Sequence, residues 1–130
     1  MRNTLKGHLS VAKGMLTRAN KSIKEKDPIQ ASEKIYKSVE ECIKILAILG
    51  ELPEYKKAKV EGRWWSKLLE KAAVKLAEKY KEKKIFEAWA VAFNLHIWGY
   101  HECALNIKEV KYHLPCAKWL LEFTENKLKP

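Results

Sequence analysis

Cysteine, arginine and long apolar runs are scarce in this chain. The three cysteines, Cys42, Cys103 and Cys116, are odd in number and include no C-x-x-C pair, which argues against a disulfide framework and against a cysteine-based zinc site. We expect them to be reduced and mostly buried. The first ten residues have no apolar leader core, and no stretch of about 18 residues is free of charged or strongly polar side chains. These absences predict a soluble, cytoplasmic protein without membrane contact.

The scarcity of arginine bears on the choice of partner. Only three of the 26 basic residues are arginines, and the formal net charge is +10. Lysine is a flexible point charge suited to general attraction toward phosphate, whereas base-specific recognition usually uses the planar guanidinium of arginine. Any contact with nucleic acid should therefore be directed at the backbone and weaken with salt. The alternative is a solvated surface, because lysine and glutamate alternate as they do in heat-stable proteins.

What the chain has in abundance is helical periodicity. Apolar residues recur every three or four positions, and 130 residues suffice for one domain with a real core. A first helix is predicted over about residues 4–26. Asp27 as N-cap and Pro28 at the first helical position then begin a second helix, which ends at Gly50.

The second half of the chain predicts three more helices. Residues 51–62, with Pro53 and a run of lysines, are predicted to form the longest connection. Helices follow over about 63–81 and 85–105. These two either run together or are separated by a tight turn, which a compact bundle favours. A last helix runs from Ile107 onward, where Pro115 predicts a break near His113. The prediction is an all-α, up-and-down bundle of about five helices in a single domain spanning residues 1–130.

The predicted fourth helix contains AWAVAFNLHIWGYHE at residues 88–102, a segment that is apolar almost all round yet carries two histidines. Burying His96 costs free energy unless its ring nitrogens find partners. One interpretation is a core histidine bonded by Glu40 or Tyr36 of the second helix. The other is a ligand pocket that uses His96, Tyr100 and Glu40. Gly99 would allow either a close helix approach or room for a ligand.

The same histidines argue against a helical metal site. His96 and His101 are five positions apart, which turns about 140° around an α-helix, so the two rings should not face one ion. We therefore predict no metal site.

A tryptophan pair forms a second candidate site. Trp64 and Trp65 follow Arg63 and could stack on bases beside a cation. The alternative is a contact between subunits, which exposed aromatic side chains often make. Adjacent residues on a helix point about 100° apart, so one of the two rings should lie in the core and the other at the surface.

Three segments together resemble a known family. They are ASEKIYKSVEECIKILA at residues 31–47, the segment at 88–102, and IKEV at 107–110, with the W-x-x-A spacing and the L-H-x-x-G-Y pattern as the best markers. They resemble the archaeal PaREP-type family of small helical proteins over most of the chain. That family is grouped with the HEPN superfamily of four- or five-helix bundles, which often form dimers and include ribonucleases, nucleotide-associated proteins and toxin or antitoxin components. The resemblance implies an HEPN-like bundle and a homodimer.

HEPN ribonucleases carry an arginine followed a few residues later by a histidine, at the start of a late helix. The match here is Arg2 with His8, at the beginning of the chain, and neither His96 nor His101 has an arginine at that spacing. We therefore expect a non-enzymatic binding module without a cofactor. Nucleic acid is the leading partner, with a protein or a small ligand such as a nucleotide as alternatives. The alternative function is a metal-independent ribonuclease in which Arg2 and His8, or an arrangement of His96 and His101 outside the family pattern, carry catalysis.

Overall fold

The computed structural model describes residues 2–130, with side chains from Thr4 onward. This part of the chain has seven α-helices, one π-helical segment and no strand, which confirms the all-α class. The π-helical segment, Leu95–His101, continues directly from the fifth helix. The α-helices are α1 Arg2–Lys24, α2 Pro28–Leu49, α3 Pro53–Glu61, α4 Ser66–Lys79, α5 Lys83–Asn94, α6 Ile107–Tyr112 and α7 Leu114–Leu128.

Helix α2 is the central element of the bundle. The Asp27 carboxylate accepts a hydrogen bond of 3.0 Å from the backbone N–H of Gln30, and Pro28 occupies the first turn, as the sequence predicts. The helix contacts α1, α4, α5, α7 and the π-helical segment. Most sides of α2 are therefore covered, and a polar side chain on a covered side must pair with a neighbouring element.

The prediction of a connection over residues 51–62 is wrong, because most of these residues form α3. Pro53 stands in the first turn, and Gly62 ends the helix in a left-handed conformation with φ 75°, which glycine adopts without strain. Glu54 is buried and pairs with Lys75 of α4, with 2.8 Å between Nζ and Oε2. These end signals are visible in the sequence, but Pro53 and the lysine run together were interpreted as a connection.

Three other boundaries test the predicted helices. The tight turn between the predicted third and fourth helices is confirmed, with Lys81 at φ 52° between α4 and α5. The break at His113 is also confirmed, with Pro115 in the first turn of α7. Helix α4 begins at Ser66 rather than at Arg63. Because of α3 and the broken last helix, the described chain has more helices than the five predicted.

The core lies where α2, α5 and α7 meet. Trp89 of α5 is 1% exposed and is the largest fully buried side chain. Its fully buried neighbours in the same cluster are aliphatic side chains of several helices, among them Ile35, Val39, Ile43, Leu46, Leu69, Leu76, Ile85, Leu95 and Leu120. No helix in residues 2–130 is both long and apolar enough to cross a bilayer.

The cysteines differ in burial more than the sequence predicts. All three are free thiols. Burial raises the pKa of Cys42 to about 12, so its thiol stays protonated at neutral pH. Cys116 is half-buried and Cys103 is exposed. The expectation of mostly buried thiols is therefore correct for Cys42 alone.

Candidate functional site

The π-helical segment brings two histidines together. A π-helix closes i to i+5 hydrogen bonds, so residues five apart lie above one another. The Nε2 atoms of His96 and His101 are 3.0 Å apart, and the two rings meet edge to face with 4.4 Å between their centroids. The prediction that these side chains face apart was wrong because it assumed α-helical winding throughout.

Gly99 places this segment directly against α2. A Cβ atom at Gly99 would overlap the hydroxyl oxygen of Ser32 and lie 2.6 Å from its Cβ, and Ser32 is itself fully buried. The missing side chain therefore permits a close helix approach, which is one of the two roles that the sequence left open for this glycine.

His96 has a partner for each ring nitrogen. Its Nδ1 lies 3.0 Å from Oε1 of Glu33 on α2, and its Nε2 faces His101. With Glu33 ionised, Nδ1–H donates to the carboxylate, and Nε2 accepts from His101 Nε2–H. The ring also stacks on Tyr36, with 4.1 Å between centroids, and on Tyr100 at 6.0 Å.

The carboxylate partner differs from the one predicted. Glu40 pairs with Lys44 on its own helix, with 3.3 Å between Nζ and Oε2, and Glu33, two turns earlier, bonds His96. The stacked His96 and Tyr100 do lie together, and their role in ligand binding stays a prediction. Burial, and then the charge of Glu40, raise the pKa of Tyr36 to about 12, so its phenol stays protonated.

The chain of contacts from Glu33 through His96 to His101 runs from the interior to the surface. The side chains of Glu33 and His96 are 12% and 18% exposed, and His101 is exposed at the end. Lys37 lies 4.0 Å from the other oxygen of Glu33. The arrangement fixes one imidazole firmly and leaves the second open to solvent. Sequence reasoning missed Glu33, although its spacing of three residues from Tyr36 places both on one face of α2.

The ribonuclease candidates at the beginning of the chain have other partners. His8 pairs through Nδ1 with Oε2 of Glu41 on α2. Burial would raise the pKa of Glu41, but the hydrogen bond from His8 and the charge of Lys44 lower it below its usual value. The Arg2 side chain lies outside the described residues. His8 and His101 therefore belong to separate clusters.

The tryptophan pair precedes α4 instead of lying on a helix. Trp65 has extended backbone angles, φ −135° and ψ 163°, so adjacent side chains point in nearly opposite directions. Both rings are half-buried. Trp64 packs against the main core, whereas the Trp65 ring has two cations near it, with its centroid 5.8 Å from Lys57 Nζ and 5.1 Å from Arg63 Cζ.

Helix α3, which precedes this tryptophan, carries three lysines. Lys56, Lys57 and Lys59 are all exposed. The ammonium of Lys59 lies 5.4 Å from the Tyr55 ring centroid. We use the term α3 basic surface for Tyr55, Lys56, Lys57, Lys59, Arg63 and Trp65. The K-K-A-K run beside W-W was the sequence signal for this surface, and it was interpreted as a loop.

The α3 basic surface borders an open groove. The groove has a volume of about 570 Å³ and is lined by Thr4, Glu51, Tyr55, Lys56 and Lys59. Among the side chains described from residue 4 onward, no group of three or more His, Cys, Asp or Glu is arranged to hold a metal ion. The described chain therefore offers two candidate sites, the histidine pair and the α3 basic surface.

Comparisons with known proteins identify relatives over most of the chain. The profile of the archaeal PaREP1/PaREP8 family matches residues 7–121. A crystal structure of a Sulfolobus solfataricus protein has a TM-score of 0.82 and 38% identity, covering 92% of this chain and 97% of that chain. A solution structure with the same target designation, SsR10, described as the Orf c02003 protein, has a TM-score of 0.79 and 37% identity, covering 91% of each chain. No curated protein matches the chain significantly.

Proposed function

We propose that this chain, which belongs to the archaeal PaREP1/PaREP8 family, acts as a non-enzymatic module that binds single-stranded nucleic acid on the α3 basic surface. The observation that carries this proposal is the closeness of the Trp65 ring to both Lys57 and Arg63. An aromatic face with cations beside it combines the two contacts that single strands offer, base stacking and attraction of phosphate.

The charge of the protein supports the same partner. The net charge of +10 attracts polyanions over distances of about a Debye length, and the lysines of α3 are exposed to such a partner. Arg63 is the one arginine of this surface, so lysine point charges dominate the contact with phosphates. Binding is therefore expected to depend little on base sequence.

The assembly is part of the proposal. We propose an HEPN-like bundle that forms a homodimer, as the family resemblance implies. Trp98 and Tyr112 are 52% and 81% exposed, and large exposed apolar side chains of this kind are typical of subunit contacts. Sedimentation equilibrium at several protein concentrations should give twice the monomer mass of 15.1 kDa. A monomer mass at every concentration would contradict the dimer.

The binding proposal predicts a local loss of affinity in surface variants. Trp65→Ala should weaken binding of a labelled single-stranded RNA by about 1–3 kcal/mol, the contribution of one stacked base. The double variant Lys57→Gln/Arg63→Gln should also weaken binding and lower the slope of log affinity against log salt by about 0.7 for each lost phosphate contact. Fluorescence anisotropy across a salt series measures both quantities.

The matched control removes the same charge elsewhere. Lys108 and Lys111 are exposed on α6, and the double variant Lys108→Gln/Lys111→Gln should keep most of the affinity. An equal loss in both double variants, or no binding by the wild type at low salt, would contradict the proposed surface.

The same samples test the enzymatic alternative. If the RNA is cut without added metal, and His8→Gln or His101→Gln abolishes cutting, the protein is a ribonuclease and the proposal of a non-enzymatic binding module is rejected. Intact RNA throughout the salt series supports the module.

A further inference from the structure

We propose that His96 and His101 form a two-histidine chelate for a late first-row divalent metal ion, such as Ni²⁺, Cu²⁺ or Zn²⁺. Metal-to-imidazole bonds of about 2.0–2.1 Å at angles between square and tetrahedral place two ligand nitrogens about 2.9–3.4 Å apart. The Nε2 atoms of the pair are 3.0 Å apart. The separation of the two nitrogens therefore already matches that of a chelate, and rotation of the side chains that turns both lone pairs toward one ion completes the site.

The π-helical winding makes this geometry possible. On an α-helix, chelating histidines are spaced four residues apart, and a spacing of five turns the rings away from each other. Within Leu95–His101 the winding returns after five residues, so His101 lies above His96. The backbone of this segment is held by buried Leu95 and by Gly99 packed on Ser32. The backbone positions that carry the two ligands are therefore set before any metal arrives.

Glu33 prepares His96 as a ligand. Histidines that bind metals usually donate their other ring N–H to a carboxylate, which fixes the tautomer and raises the basicity of the binding nitrogen. Glu33 Oε1 lies 3.0 Å from His96 Nδ1, so Nε2 carries the free lone pair. Stacking on Tyr36 at 4.1 Å fixes the plane of the same ring. The second oxygen of Glu33 faces Lys37, which leaves the first to His96.

His101 supplies access and the second nitrogen. It is exposed, so a hydrated ion reaches the pair directly from solvent. On binding, the proton that His101 Nε2 donates to His96 moves through water to His101 Nδ1, which leaves both Nε2 atoms free. Water fills the remaining positions, because the described side chains provide no third ligand group. Two imidazoles and open positions favour Cu²⁺, Ni²⁺ and Zn²⁺ over Mg²⁺ or Ca²⁺.

Titration calorimetry with NiCl₂ on the full chain tests the site. The wild type should bind one Ni²⁺ per chain, and His101→Gln should lose at least about tenfold in affinity because one of the two ligands is gone. Glu33→Gln keeps a hydrogen-bond acceptor without the charge and should lose about tenfold. The matched control is His113→Gln, a half-buried histidine outside the pair, which should bind as the wild type does. Unchanged affinity in His101→Gln, or an equal loss in His113→Gln, would overturn the proposal.

A second measurement locates the ion without any substitution. Cu²⁺ added at a small fraction of the protein concentration should broaden the imidazole proton resonances of His96 and His101 before those of His8 and His113. Earlier broadening at His8 or His113 would reject the pair as the site. This result is independent of nucleic-acid binding, because the pair and the α3 basic surface share no residue.

Discussion

Replacing Gly99 with alanine is expected to lower the free energy of unfolding by about 3 kcal/mol, at the upper end of the cost of overfilling a packed interior. The new Cβ would overlap Oγ of Ser32 and lie 2.6 Å from its Cβ. Ser32 Cβ belongs to the fully buried face of α2 and cannot rotate away. The π-helical segment would have to move off α2, which would also separate His96 from Glu33.

Urea denaturation measures this loss, and the chain offers two controls. Gly14 lies in α1, where an added Cβ would have no other atom within 4 Å outside its own helical turn, so Gly14→Ala should raise stability by up to about 1 kcal/mol through helix propensity. Adding Ser32→Gly to Gly99→Ala removes the clashing atoms and should recover part of the loss. If Gly99→Ala is as stable as the wild type, the close approach is absent in solution.

Replacing Trp89 with alanine should cost about 3–5 kcal/mol, the usual range for deleting a large aromatic side chain from a core. Trp89 is 1% exposed and joins an aromatic cluster, with 5.6 Å to the ring centroid of Phe93 and 5.8 Å to that of Tyr36. The loss should extend to the histidine pair, because Tyr36 is the ring on which His96 stacks. Thermal and urea unfolding both measure this effect.

Phenylalanine at the same position separates packing from polarity. Within the described residues the buried Nε1 of Trp89 has no hydrogen-bond partner, and an unpartnered buried donor costs about 1–3 kcal/mol. Trp89→Phe removes that donor and keeps one aromatic ring, so its loss should be less than about half of that in Trp89→Ala. If both variants lose the same free energy of unfolding, the Trp89 N–H has a hydrogen-bond partner in solution, and packing alone does not account for the stability that Trp89 contributes.

Much of the fold follows from local signals in the sequence. Asp27 and Pro28 begin α2, and Pro115 breaks the last helix, because these effects act within one turn of the chain. The end signals of α3, Pro53 and Gly62, were equally local, but Pro53 was interpreted with the lysine run as part of a connection instead of as the start of a helix. The family assignment also came from the sequence, since its markers are contiguous patterns.

The candidate sites depended on contacts between elements. Glu33 bonds His96, and Glu40 pairs with Lys44 instead. The position of the π-helical segment along the axis of α2 decides which glutamate His96 meets. The apolar pattern of the two segments is compatible with either position. Which tryptophan meets the core depends likewise on where α4 begins.

By itself, the sequence determined the all-α class, most helix ends, the basic charge and the family, because each depends on composition or on neighbours within a few residues. Tertiary structure alone decided that His96 and His101 face each other. Local rules favour α-helical winding at that segment. The structure instead has π-helical winding over Leu95–His101, the segment in which Gly99 packs against Ser32 of α2. Packing between helices, which no local pattern encodes, therefore set the geometry of the histidine pair.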